Sequence, residues 1–421
     1  MARVKVYRGP GLLGELRRLL AERPSLWSYV EKVKPIVEDV RGRGYEAVRE
    51  YTLRFDGVDV EDPRVPREEL EKAYRSLPRG LATALRVAAS ALQRYHHATR
   101  PPETWVPGAR LRWLPVERIG VYAPGGMHPY PSTVLHTVIP ARAAGARRVV
   151  VATPPRRGSG STPVHPVMLA AAYMAGADAV YAVGGAQAVA ALAYGAGPVE
   201  RVDKIVGPGN PYVQAAKLLV SSDVGIDMVA GPTELAVVAD ESADPRQVAL
   251  DMLAEAEHGP LSIAALFTPS RRLAEEATVV LEEEAGEETG ALAVFEARSL
   301  EEALGLADEM AAEHLVAYLS PGAEKRLIEN PPRAGVVSLG VPPALLDYAY
   351  GPSHVLPTGG AARWRGGLGV MDFMRAVAFA DPRGLGALRE LVEASITLAE
   401  AEGFTMHARS LRRTLERLRE G

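Results

Sequence analysis

The run Asp251-Met-Leu-Ala-Glu255-Ala-Glu-His258-Gly-Pro closes an acidic stretch on a histidine. Ala, Leu, Met and Glu favour helix, and Gly259-Pro260 stops it. On a helix, Glu255 and His258 stand three apart on one face, with Asp251 one turn further back. A carboxylate and an imidazole placed in this way form half of a zinc site. The alternative is a solvated acidic face whose terminal histidine suits the helix dipole. A metal reading needs further ligands and a reaction from elsewhere in the chain.

The chain has nine histidines. His96, His97 and His165 have no acidic neighbour, and packing or surface roles suffice for them. His128 and His136 flank a glycine turn, where they are polar filler or ligand contacts. The other four each come with an acid or a special turn. His258 follows Glu255, His314 directly follows Glu313, His354 stands in Gly-Pro-Ser-His, and His407 comes five after Glu402. Asp347 lies in Leu-Leu-Asp-Tyr, where an acid among apolar neighbours is costly unless paired or metal-bound. Two histidines and two carboxylates would complete a zinc shell. The adjacent Glu313 and His314 are acid/base groups of different pKa, suited to two proton transfers. Cysteine is absent, which excludes thiolate zinc ligands, disulfides and a thiol nucleophile. Any aldehyde oxidation here must proceed without a thiohemiacetal.

Three glycine turns end strand-like runs and open helices: Ala123-Pro-Gly-Gly126, Gly184-Gly-Ala-Gln187 and Gly207-Pro-Gly-Asn210. Ligands of open α/β sheets bind beyond the carboxyl ends of strands, where helix N-termini offer free N–H groups. Tyr122, Gln187 and Asn210 stand at these turns with side chains able to hydrogen-bond a nucleotide. Any one turn is explained by plain turn glycines; three in succession favour phosphate or nucleotide binding. None is a phosphate loop. Gly9-Pro-Gly11-Leu-Leu-Gly14 matches G-x-G-x-x-G, but Pro24, Pro35 and more helix follow instead of a second strand ending in an acid. The match is rejected.

The elements that must position these groups divide the chain into four. Residues 1–117 read as a helical segment, with nearly continuous helix from Glu68 to His97. Residues 118–234 alternate short apolar runs with helices, the rhythm of a parallel sheet flanked by helices. Residues 235–384 repeat that rhythm and carry the metal and acid/base candidates. Residues 385–421 form a helical tail, Leu385 to Gly403 and Met406 to Arg419, suited to packing on a partner subunit. The expected fold class is α/β, with two Rossmann-like, incomplete, mostly parallel-sheet domains and helical N- and C-terminal extensions.

With 421 residues, 47% hydrophobic and 24% charged, the composition is that of a globular enzyme. A net charge of −4 argues against nucleic acid as the main partner. No signal segment and no apolar run approaching about 18 residues is present, so no membrane role is expected and the cytoplasm is the expected compartment.

Longer motifs carry a resemblance. Val183-Gly-Gly-Ala-Gln-Ala-Val-Ala-Ala-Leu-Ala-Tyr-Gly195, Val202-Asp-Lys-Ile-Val-Gly-Pro-Gly-Asn210, Val224-Gly-Ile-Asp-Met228 and Ala230-Gly-Pro-Thr-Glu234 resemble the histidinol dehydrogenase family. So do Ala256-Glu-His-Gly259, Glu313-His-Leu315, Asp347-Tyr, Gly351-Pro-Ser-His-Val-Leu-Pro-Thr358 and Glu402-Gly-Phe-Thr-Met-His407. The resemblance implies oxidation of L-histidinol to L-histidine through a bound aldehyde, reduction of two NAD, dependence on zinc, and a homodimer with shared active sites. It implies Glu255, His258, Asp347 and His407 as zinc ligands, with His407 and Glu402 completing the neighbouring subunit's site. Glu313 and His314 match the catalytic pair: His314 as base for alcohol oxidation, Glu313 to activate the water that attacks the aldehyde. Thr233, His354 and Glu402 match substrate contacts beside Glu255, His258, His314, Asp347 and His407. Tyr122, Gln187 and Asn210 match positions around NAD. Glu255 stands where the family usually has glutamine, Thr233 where serine is usual, and Ser353 where asparagine is common. These departures keep open a dehydrogenase of the same fold acting on another amino alcohol, a polyol or a sulfonated diol. A zinc hydrolase using Glu313 without nicotinamide is the remaining alternative.

Overall fold

The computed structural model describes residues 4–22, 25–125, 128–157, 163–383 and 385–420. The chain forms two compact units, Met1–Arg100 with Pro115–Phe373, and Pro101–Leu114 with Met374–Gly421. Its strands in chain order are β1 Lys5–Arg8, β2 Arg64–Val65, β3 Thr104–Val106, β4 Ala109–Pro115, β5 Arg118–Tyr122, β6 Arg148–Thr153, β7 Ala179–Ala182 and β8 Lys204–Val206. There follow β9 Gly225–Ile226, β10 Glu234–Ala239, β11 Ile263–Thr268, β12 Ala291–Glu296, β13 His314–Tyr318, β14 Val336–Leu339 and β15 Met374–Ala380.

The first unit holds two six-stranded sheets, ordered β2-β7-β6-β5-β8-β9 and β1-β12-β11-β10-β13-β14. Leaving out β2 and β1, each half runs third, second, first, fourth, fifth in its own chain order, with all these pairs parallel. The order reverses between β5 and β8 in the first half and between β10 and β13 in the second, the topological switch points. The N-terminal segment supplies the extra edge of both: β1 joins β12 in parallel, and β2 joins β7 antiparallel.

The central strands of both sheets are short apolar runs covered on both faces, and the sheets form about them. Val149, Val150, Val151 and Ala152 are buried in β6, and all six residues of β10 are buried. Proline at the first turn sets the entry of helices Pro131–Ala144, Pro166–Ala175, Pro211–Val220 and Pro245–Ala256, where a missing N–H costs no intrahelical bond. Asn210, Asp244, Ser270 and Ser299 cap helix starts with side-chain oxygens. Among the described residues no helix is long and apolar enough to cross a membrane.

Two expectations are corrected. The helix expected from Glu68 to His97 is two, Arg67–Arg75 and Arg79–Ala98, because Pro78 cannot continue the first and serves as N-cap of the second. Helix Pro245–Ala256 ends two residues before His258, so Glu255 and His258 do not share a continuous helical face.

The second unit is built on the antiparallel pair β3 and β4 with β15 beside β4. The Arg110 guanidinium lies 5.1 Å from the Trp105 ring and 4.8 Å from that of Phe379. Helices Leu388–Ala401 and Thr405–Glu420 follow, with Leu391, Leu398, Phe404 and Met406 exposed on the single chain.

Candidate active site

The titratable candidates gather at the amino ends of β10 and β13, adjacent strands in which Leu235 pairs with His314. Glu313 and His314 enter β13; Thr233 and Glu234 enter β10. Glu255 arrives from the last turn of helix Pro245–Ala256, and Asp347 from the short helix Pro343–Tyr348. Glu234, Glu255, Glu313 and His314 are buried. The ligand atoms of Glu255, His314 and Asp347 all lie within 4.8 Å of one another. His314 Nε2 is 3.5 Å from Asp347 Oδ1 and 3.7 Å from Glu313 Oε1. Its buried Nδ1 meets no hydrogen-bond partner among the described residues.

Charge decides how these groups titrate. Burial alone would lower the His314 pKa, but the Asp347 carboxylate at Nε2, with Glu255 and Glu313, outweighs it and raises the imidazole to about 9. Burial raises Glu255, against the opposing pull of His314. It drives Glu313 well above the usual carboxylate range, with Glu255, Glu234 and Asp347 adding to the rise. Burial would raise Asp347 too, yet His314 holds it below its ordinary value. Three carboxyl groups, those of Asp347, Glu255 and Glu313, thus surround one imidazolium. Oxygen donors and a borderline nitrogen in a pocket short of positive charge suit a divalent cation such as zinc.

His258 lies in the turn after the helix, exposed, with Nδ1 3.8 Å from Glu255 Oε2 and 3.2 Å from the Glu255 carbonyl oxygen. Asp251, four residues before Glu255, is turned away: Tyr318 donates to its Oδ2 at 2.6 Å and Gln247 to its Oδ1 at 2.8 Å. The Thr233 carbonyl accepts from Ile263 N, which leaves its hydroxyl at the strand entrance. His354 is tied to the cluster through Nδ1, 2.8 Å from the Asp347 carbonyl oxygen. Glu402 and His407 belong to the second unit, where both are exposed and the His407 ring sits edge-on to Phe404.

The nucleotide candidates lie at the opposite, carboxyl ends of the first sheet. Gly207 follows β8 at φ +119°, and a Cβ there would stand 2.1 Å from the Tyr122 carbonyl oxygen, so only glycine allows this approach. The Tyr122 hydroxyl accepts from Gly185 N at 3.2 Å, and burial pushes its pKa up to about 12. Asn210 Oδ1 accepts from Tyr212 N and Val213 N, both at 3.1 Å. The buried Gln187 carboxamide and Thr153 hydroxyl find no hydrogen-bond partner among the described residues. Orphaned amide and hydroxyl groups at these strand ends fit a nucleotide, whose oxygens and N–H groups would satisfy them.

Some functional groups escaped the sequence reading. Glu234 opens a wholly apolar strand, and its Oε1 accepts from Gly359 N at 2.8 Å. Lys217 and Asp227 form a fully buried ion pair of 2.5 Å. Asp227 Oδ2 accepts from Gly207 N, and Lys217 donates to Gly207 O, so the pair clamps the glycine turn from both sides. A lysine within the apolar run Ala215-Ala-Lys-Leu-Leu-Val220 was the available signal.

Residues 21–415 match the sequence model described as histidinol dehydrogenase. The chain is 43% identical to the histidinol dehydrogenase of Archaeoglobus fulgidus over 404 residues, covering 94% of this chain and 97% of that one. It is 46% identical to the Thermus thermophilus histidinol dehydrogenase over 405 residues, covering 90% and 93%. Its fold is similar to the crystal structure of histidinol dehydrogenase from Elizabethkingia anophelis, with a TM-score of 0.88, 30% identity and 99% of each chain covered.

Proposed function

Because the chain belongs to the histidinol dehydrogenase family, we propose that it oxidises L-histidinol to L-histidine in two NAD-linked steps. The observation that carries the proposal is the cluster of Glu255, Glu313 and Asp347 about His314, buried and short of positive charge. We assign Glu255, His258 and Asp347 as zinc ligands, with His407 of a second copy completing the shell in a homodimer. Bound zinc would stabilise negative charge on the substrate oxygen, and bound NAD would take up hydride.

The chain's own groups then have distinct tasks. With Glu255 and Asp347 engaged as ligands, His314 loses the carboxylates that hold its proton. Its pKa falls toward the range where a neutral imidazole accepts a proton at neutral pH. His314 takes the hydroxyl proton as the alcohol loses hydride and becomes the aldehyde. Water then adds to the aldehyde carbon, giving up a proton to Glu313 while the carbonyl oxygen takes one back from His314, and the hydrated aldehyde loses a second hydride and proton to yield the acid. Oxygen comes from water and two NADH form per substrate, with no thiol needed. Thr233 and His354, with Glu402 of the second copy, hold the amino alcohol. Tyr122, Gln187 and Asn210 orient the dinucleotide. We place the reaction in the cytoplasm, the compartment expected from the sequence.

Glu255 in place of the usual glutamine favours a second reading: the same fold and cofactors with another amino alcohol as substrate. Two carboxylate ligands neutralise the charge of Zn²⁺ and weaken its pull on an alcohol oxygen. The test is NADH release from L-histidinol by zinc-supplied protein. Two equivalents per substrate are expected; none, at saturating enzyme and zinc, would overturn the assignment, and turnover of a different amino alcohol would establish the second reading.

A further inference from the structure

Helix Pro131–Ala144 of the first half meets the metal-side loop at His354, and the chemistry above leaves that contact without a task. Helix Pro131–Ala144 presents Thr133 and His136, three positions apart, to the segment carrying His354. The His354 backbone N–H donates to His136 Nδ1 at 3.0 Å, and the two rings stack at 4.1 Å with 5° between their planes. Ser353 Oγ donates to the His136 carbonyl at 3.2 Å and accepts from Val355 N at 3.1 Å. His354 Nδ1 faces the Asp347 carbonyl, which can only accept, so Nδ1 carries the proton. Nε2 of the neutral ring is then an acceptor, and the Thr133 hydroxyl at 3.2 Å donates to it. His136 accepts at Nδ1 and so keeps its proton on Nε2. His136, whose Nδ1 accepts the His354 N–H, is a neutral ring, and His354 stacks on it with Nδ1 on the Asp347 carbonyl and Nε2 beside the Thr133 hydroxyl.

We propose that His136 is a positioning residue that presents His354 to the substrate as a fixed, neutral hydrogen-bond acceptor. The proposal rests on the reading of His354 as a substrate contact. It deepens that reading by naming what His354 selects: a donor group, the ammonium or ring N–H of an amino alcohol, taking the place of the Thr133 hydroxyl at Nε2. Glu255 and Asp347 bind through charge and metal; His354, held in this way, reads the donor.

Two substitutions separate the hydrogen bond from the packing. His136→Phe keeps a flat buried ring and removes the acceptor. KM for L-histidinol should rise about tenfold with kcat within about twofold, the loss of one buried hydrogen bond acting on substrate binding. His136→Asn, whose Oδ1 replaces Nδ1, should return KM to within about threefold of wild type, since most of that hydrogen bond is kept. An unchanged KM in His136→Phe overturns the proposal, as does equal loss in both variants in step with a fall in Tm. If either variant fails to fold, Thr133→Val reads the same contact: without the hydroxyl that the substrate must displace from Nε2, an equal or lower KM is expected, and a several-fold rise overturns the proposal. Ring ¹⁵N spectra of the histidine-labelled protein give a reading independent of turnover. Wild type should show His354 protonated at Nδ1, and His136→Phe should show a mixture of tautomers; an identical pattern in both also overturns the proposal. Should wild type fail to oxidise histidinol, the assigned activity falls while the tautomer comparison still decides the role of His136.

Discussion

In the first half of the large unit, glycine turns and orphaned polar groups lie at the carboxyl ends of β5, β6, β7 and β8. In the second half, the same strand order carries its titratable groups at the amino ends of β10 and β13. At the carboxyl end of β10 in that second sheet, Asp240 accepts from Ser242 N and from Ser320 N. One topology thus supplies two kinds of surface. The carboxyl edge offers helix N-termini and backbone N–H groups, which suit phosphates. The amino edge offers strand-entry side chains brought together at fixed spacing, which suit ions and protons. Histidine marks the contrast. His96, on the helix packed against Pro131–Ala144, is buried without a carboxylate and pushed down to about 4. His314 is equally buried and rises to about 9 because carboxylates surround it.

The sharpest way to break this division is to remove its proton carrier. His314→Asn should slow alcohol oxidation by roughly 10²- to 10⁴-fold, the usual worth of a positioned base. Turnover close to wild type would take proton transfer away from the amino edge. Glu313→Gln should depress aldehyde oxidation more than alcohol oxidation, which assays started separately from histidinol and its aldehyde would read.

The next largest effect belongs to the carboxyl edge. Lys217→Met strands Asp227 as an uncompensated buried charge, which costs about 3–5 kcal/mol of stability. Urea titration reads the loss; a midpoint unchanged from wild type would mean that the pair does not hold the Gly207 turn.

The third concerns acid. His96 titrates near 4 in the fold against its ordinary 6.5, so the unfolded chain takes up that proton first as pH falls. Its full contribution is present above about pH 6.5 and is lost on the way down to about pH 4, about 3 kcal/mol in all. His96→Leu should flatten the stability profile across that window, and an unaltered slope would show that His96 is not held neutral. The smallest effect is at the helix cap: Asn210→Ala should cost about 1 kcal/mol of stability. It should also weaken NAD binding more than metal binding, and an equal effect on both would blur the separation of the two edges.

The parallel strands of both halves were legible because a run such as Arg148-Val-Val-Val-Ala-Thr153 is apolar on both faces and bounded by turns. β3, β4 and β15 were not, because each is largely half-buried or exposed, and β4 and β15 are interrupted by arginines. Val106-Pro-Gly108-Ala was the missed hairpin signal. Glu255, Glu313, His314 and Asp347 stood out as acids and histidines in company, and the fold brings those four together. Thr133 and His136 gave no such sign. Their partner His354 lies 221 and 218 positions away, a distance over which local pattern carries no information. His258 was placed on a helix that stops at Ala256, since a boundary set by Gly-Pro is uncertain by a turn.

Strand β1 has a consequence for how the molecule is made. Lys5 pairs with Ala293 and Arg8 with Glu296, so the edge strand emerges from the ribosome long before its neighbour exists. At ordinary elongation rates, roughly 15 to 60 s pass while the intervening 290 or so residues are made. Through that interval the second sheet cannot close, while β2 and the strands of the first sheet are already available to assemble. The nascent chain therefore completes its nucleotide-side half first and carries a waiting edge strand, a segment for chaperones to shield until β12 arrives.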